Sequence, residues 1–176
     1  MKTITSATST SSTNFGMAGD TTVYDCPLLE LPRVENRAGN LTVLQPGWNC
    51  PFDVPRVYYL YDVPGGSTRG GHAHKNLRQL IVAAGGSFEV LLDDGRNRRS
   101  VFLNRPYYAL ALYPGIWREL HNFSSGSVCL VLASERYEEV DYIRDYKAFA
   151  SWKALHRAEG SSDGATEVAN RSSATG

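Results

Sequence analysis

The sequence predicts an all-β fold, a sandwich or barrel, with a single short helix near its C-terminus. Two observations carry this reading: short segments with two-residue alternation recur through the middle of the chain, and turn signals separate them with almost no helical periodicity between. The expected strands are 41–44, 56–61, 71–74, 77–84, 87–92, 100–103, 109–112, 118–123 and 127–133. Asp93-Asp94-Gly95, directly after Phe88-Glu89-Val90-Leu91-Leu92, is read as a hairpin turn in which Gly95 supplies a positive φ, in preference to a calcium loop. The helix is expected at 146–157, where Phe149, Trp152 and Leu155 fall near helical spacing and can cover one end of the barrel.

Composition bounds the rest. Of 176 residues, 1–22 are rich in Ser and Thr and 159–176 are mostly Ser, Gly, Ala, Asp and Thr. Neither end can bury enough apolar surface to offset the entropy of ordering it, so both are expected to be flexible and dispensable, leaving one domain over 23–158. The 18 basic and 18 acidic side chains cancel, with no Lys/Arg run, which argues against nucleic acid as a partner. Cys26, Cys50 and Cys129 are odd in number and unpatterned, so a reduced compartment without disulfides is expected. Lys2 leads into polar Thr and Ser, and no window approaches the ~18 apolar residues of a membrane span, so the expected location is the cytoplasm.

The richest segment is His72-Ala73-His74, entered through Pro64-Gly65-Gly66-Ser67-Thr68-Arg69-Gly70-Gly71. Two imidazoles two residues apart on a strand project from one face, the glycines allow close backbone approach, and Arg69 adds a permanent cation. The plain alternative is two polar residues on a solvated sheet face. Gly66, five residues, His72, one, His74, four, Gln79, six and Gly86 match the spacing of a cupin motif whose metal-binding form has Glu at Gln79. A second cupin motif aligns on Gly115, Arg118 and Asn122, with Arg118 where a third His ligand would stand. Arginine stays protonated and repels a divalent ion, so two of four expected ligands are gone and no metal or other cofactor is expected. Alternation in Arg56-Val57-Tyr58-Tyr59-Leu60-Tyr61 puts Arg56 and Tyr58 on one face, Tyr59 and Tyr61 on the other. Either face of tyrosines suits a sugar or base, as do Tyr107, Tyr108 and Trp117, and each is equally suited to sheet packing. Arg56, Arg69 and Arg118 suit a phosphorylated ligand, with surface ion pairing the alternative.

The runs Arg56-Val57-Tyr58-Tyr59-Leu60-Tyr61-Asp62-Val63-Pro64, Arg69-Gly70-Gly71-His72-Ala73-His74-Lys75, Leu91-Leu92-Asp93-Asp94-Gly95, Trp117-Arg118-Glu119-Leu120-His121-Asn122-Phe123 and Asp141-Tyr142-Ile143-Arg144-Asp145-Tyr146 closely resemble the dTDP-sugar 3,4-ketoisomerases, the WxcM-like cupins, from about residue 23 to 150. The resemblance implies a metal-independent jelly-roll cupin that converts dTDP-4-keto-6-deoxyglucose to a 3-keto sugar for 3-amino-3,6-dideoxyhexose synthesis. It also implies a homodimer with exchanged N-terminal strands. Moving a carbonyl from C4 to C3 needs a base near neutrality, which an imidazole supplies. His72 and His74 are expected to transfer the proton, with His74 favoured as the base by the resemblance. Tyr58 and the second imidazole would serve the enediolate oxygens, Arg56 and Arg69 the diphosphate, and Gln79 and Arg118 the sugar pocket. Arg118 stands where relatives carry His or Arg, and the gluco product is the expectation. A 3,5-epimerase, a metal-dependent dioxygenase or a non-catalytic sugar-binding cupin are the other readings.

Overall fold

The structure, a computed structural model, describes residues 18–169, with side chains through Arg157. Twelve strands form: β1 (Leu28–Glu30), β2 (Arg33–Val34), β3 (Leu41–Thr42), β4 (Arg56–Leu60), β5 (Arg69–His74), β6 (Gln79–Gly85), β7 (Phe88–Asp93), β8 (Arg98–Leu103), β9 (Tyr108–Leu112), β10 (Trp117–His121), β11 (Val128–Ala133) and β12 (Tyr142–Ile143). They make two five-stranded sheets, β1-β9-β6-β11-β4 and β12-β5-β10-β7-β8, with β2 and β3 as a separate hairpin. Every pairing between these strands is antiparallel. This is a jelly roll, the all-β class expected.

The core lies between the sheets. Leu80, Leu110 and Val131 of one sheet join Val90, Leu92 and Leu120 of the other in a single buried cluster. Full burial of a side chain of this size contributes roughly 1.5–3 kcal/mol. The Asp93–Gly95 turn is held as expected: Gly95 has φ 86°, and Asp94 Oδ1 accepts the Arg96 and Asn97 N–H groups at 2.9 and 2.8 Å.

Several boundaries differ from expectation. The strand expected at 118–123 starts at Trp117 and ends at His121, because Asn122 turns left-handed at φ 53°. The helix, α1, spans Tyr146–Ala169 and does not stop at 157. It takes in the first residues of the tail expected to be flexible at 159–176, as far as Ala169; Ala158, Glu159, Ala165 and Glu167 favour helix, Gly160 and Gly164 oppose it, and nothing in the structure explains the extension. The segment expected to be flexible at 1–22 is packed from residue 18 onward. Thr21 is buried, and the Ala18 and Thr21 carbonyls accept from Lys153 Nζ at 2.9 and 2.5 Å. The expectations for residues 1–17 and 170–176 lie outside the described residues. Among the described residues no helix is long and apolar enough to cross a membrane.

Candidate active site

β5 and β10 position the site. Arg118 pairs with His72 and Glu119 with Gly70, the register slipping between Arg118 and Glu119. That slip brings the backbones close: a Cβ on Gly70 would lie 2.8 Å from the Arg118 carbonyl oxygen, and Gly70 also sits at φ +86°. Only glycine meets both conditions without strain.

Alternation along β5 sends both histidines inward, with ring centroids 5.1 Å apart and planes near perpendicular. Their surroundings differ. His72 lines a cavity of about 330 Å³ together with Tyr58, Arg69, Gln79, Arg118 and Arg144. His74 is only 3% exposed and lies behind that lining. Its Nδ1 donates to Asp141 Oδ2 at 2.7 Å, while Asp141 Oδ1 accepts the Asn76 N–H at 2.7 Å. The bond to Asp141 fixes the tautomer, leaving His74 Nε2 as the bare nitrogen, buried and without a partner, as is Nδ1 of His72.

A polar chain crosses the cavity floor. Arg118, 2% exposed, donates from Nη1 to the His72 carbonyl at 2.8 Å and from Nη2 to Gln79 Oε1 at 3.0 Å. Gln79 Nε2 in turn donates to the Tyr58 hydroxyl at 2.7 Å. Tyr58 therefore keeps its own O–H proton for a ligand, and burial pushes its pKa up, so the proton stays on. Burial lowers the Arg118 guanidinium to about 10, which still leaves it charged at neutral pH. Burial, then the Arg118 charge, push His72 down to about 3. The same two causes hold His74 far below the usual imidazole range. Both imidazoles are neutral at pH 7.

Two of the four ligand positions of a metal-binding cupin are thus joined to each other, with a cation at one of them. Among the described residues no three His, Cys, Asp or Glu side chains gather as metal donors. This set does not fit a divalent ion. Burial raises Cys26 to about 11 and Cys129 to about 12, so neither is a ready nucleophile.

Of the residues singled out from sequence, Tyr58, Arg69, His72, Gln79 and Arg118 converge on the cavity. Arg56 does not line it. It faces a neighbouring cleft with Asn76, Asp141 and Tyr142, its guanidinium 5.5 Å from the Tyr58 ring centroid. Tyr59 and Tyr61 face out, Tyr107 and Tyr108 pack on each other, and Trp117 packs on α1 through Phe149. The sequence alone assigns no role to Asp141, Tyr142 or Arg144. The Tyr142 ring lies 4.2 Å from His74 and 5.0 Å from His72, and the Arg144 guanidinium sits 4.2 Å from the Tyr142 centroid. Glu139 clamps Arg144 through bonds of 2.7 and 2.8 Å. The only signal for these residues was the Asp141–Tyr146 run itself.

The family model for FdtA, described as WxcM-like, C-terminal, matches residues 24–154. The chain belongs to the FdtA family. Within the FdtA family it is 40% identical over 127 residues to a TDP-4-oxo-6-deoxy-alpha-D-glucose-3,4-oxoisomerase from Aneurinibacillus thermoaerophilus, covering 72% of this chain and 91% of that one. A 3,4-ketoisomerase structure from Helicobacter canadensis is 42% identical, with TM-score 0.72, covering 74% of this chain and 98% of its own. The sugar 3,4-ketoisomerase QdtA from Thermoanaerobacterium thermosaccharolyticum, solved with TDP, is 36% identical, with TM-score 0.74 and coverage of 76% and 98%.

Proposed function

We propose that this FdtA-family isomerase converts TDP-4-keto-6-deoxyglucose to the 3-keto sugar, with His72 as the proton-transfer residue. The observation that carries the assignment is the position of His72 on the cavity wall, neutral and beside the Arg118–Gln79–Tyr58 chain. This reverses the preference for His74 drawn from sequence, and it is supported by the burial of His74 behind the lining.

In the forward direction the His72 imidazole takes the proton from C3. The C3–H electrons form the C3=C4 bond, and the C4 carbonyl oxygen becomes an enolate. Tyr58, with its hydroxyl proton free, and Arg118 stabilise that oxyanion, a role in which fixed donors contribute strongly. O4 gains a proton, O3 loses one to become the new carbonyl, and the imidazolium returns its proton to C4. The cost of charging His72 in a buried, positive site is offset while the enolate lies next to it, so the proton returns readily. Arg69 at the cavity mouth suits the diphosphate, and TDP bound to QdtA supports that ligand class. Reprotonation to the gluco product is our reading of Arg118. The reaction needs no metal, supported by the donor set above.

We also assign the chain to the cytoplasm, supported by three buried free cysteines, and to a homodimer. Exchange of an N-terminal element is supported by the β2–β3 hairpin, which joins neither sheet and exposes Val34 and Leu41.

Comparison of His72→Asn with His74→Asn tests the assignment of the base. His72→Asn is expected to lower kcat by about 10²-fold or more with TDP affinity within a few fold, since a base acts in the transition state. Wild-type turnover by His72→Asn would remove it from the mechanism.

A further inference from the structure

Lys153 is the least exposed cation in the described part of the chain, at 1%, and lies on α1 one turn after the buried Phe149. Its Nζ donates to three carbonyls: Ala18 at 2.9 Å, Thr21 at 2.5 Å and Gly115 at 2.7 Å. Burial pushes it down to about 8, which leaves it charged at neutral pH and able to make all three bonds. The first two acceptors precede the stretch matched by the family model, residues 24–154. The third belongs to the turn between β9 and β10, and the Gly115 N–H donates to the carbonyl of His74 at 2.8 Å. Residues 18–21 are fitted to the helix as well as bonded to it: a Cβ on Gly19 would lie 2.5 Å from the His156 backbone. On the same helix face Phe149 packs into the cluster of Ala73, Trp117 and Ile143, and Ala73 stands between the two histidines.

Resting on the ketoisomerase reading, we propose that Lys153 is a positioning residue that clamps residues 18–21 and the β9–β10 turn onto α1 and thereby fixes the backbone of the His72/His74 strand. The N-terminal segment is then part of the catalytic domain. A buried ammonium without its acceptors is strongly disfavoured, so segment and lysine act as one unit.

The test is a cycle of Lys153→Met, deletion of residues 1–22 and their combination, with deletion of residues 1–17 as control, all assayed on TDP-4-keto-6-deoxyglucose. Lys153→Met and the 1–22 deletion are each expected to lower kcat by about 10-fold with KM within about twofold, and the combination to be no worse than the poorer single variant. The 1–17 deletion is expected to match wild type. Amide hydrogen exchange at β5 reads the clamp without any turnover and is expected to speed up in both single variants; it separates failure of the clamp from failure of the ketoisomerase reading, which wild-type turnover alone decides. Wild-type kcat and β5 protection in the 1–22 deletion, or effects that multiply in the combination, would overturn the clamp. Should Lys153→Met not fold, the two deletions decide the matter in the same way.

Discussion

Asp141 holds His74 through one oxygen and the Asn76 N–H through the other, so the imidazole behind the cavity wall has one tautomer and one orientation. Replacing the carboxylate, which can only accept, with an amide allows a flipped amide to reverse the tautomer. Asp141→Asn is therefore expected to lower kcat by about 10-fold while KM stays within about twofold, read from steady-state kinetics. Unchanged kcat would show that His74 needs no orientation by Asp141. The group His72, His74, Gln79 and Arg118 is legible in sequence because strand alternation and fixed motif spacing single them out, although they stand on three strands, β5, β6 and β10. Asp141 was not legible, since its contact spans 67 positions and depends on the pairing of Tyr142 with His74.

β12 and α1 are small elements with large consequences for that strand. β12 has two residues, too few for alternation to register, yet it pairs Tyr142 with His74 and Ile143 with Ala73. The same shortness hid β1 and β2, whereas β4 through β11 carried enough residues to declare their periodicity. For α1 the apolar spacing marked the start correctly, but the buried face includes Lys153, which a hydrophobic pattern assigns to solvent. Phe149 is fully buried against Trp117 at 5.7 Å between centroids. Phe149→Ala is expected to destabilise the fold by about 3–5 kcal/mol, measured by denaturant unfolding. A loss well under 1 kcal/mol would mean that α1 does not buttress β5.

Across the molecule, the neutral histidines make the fold sensitive to acid. In the unfolded chain both titrate near 6.5, whereas in the fold His72 titrates at about 3 and His74 lower still. Between those values the unfolded state binds more protons, so stability falls as pH drops from about 6.5 toward 3. Thermal unfolding is expected to shift to lower temperature between pH 7 and pH 5, and replacing both histidines with Asn to flatten that slope. An unchanged slope in the double variant would locate acid sensitivity elsewhere.

The central claim is a proton moved by His72 between C3 and C4 and nowhere else on the sugar. Incubation of the protein with TDP-4-keto-6-deoxyglucose in heavy water, followed by NMR of the sugar, tests it most directly. The predicted result is a new carbonyl at C3, a single hydrogen at C4 in the gluco configuration, protium where the imidazolium returns the proton it took and deuterium where it exchanges with solvent first, and protium retained at C5. Deuterium at C5 would mark an epimerase, and an unchanged sugar without deuterium would mark a protein that only binds it; either would contradict the account.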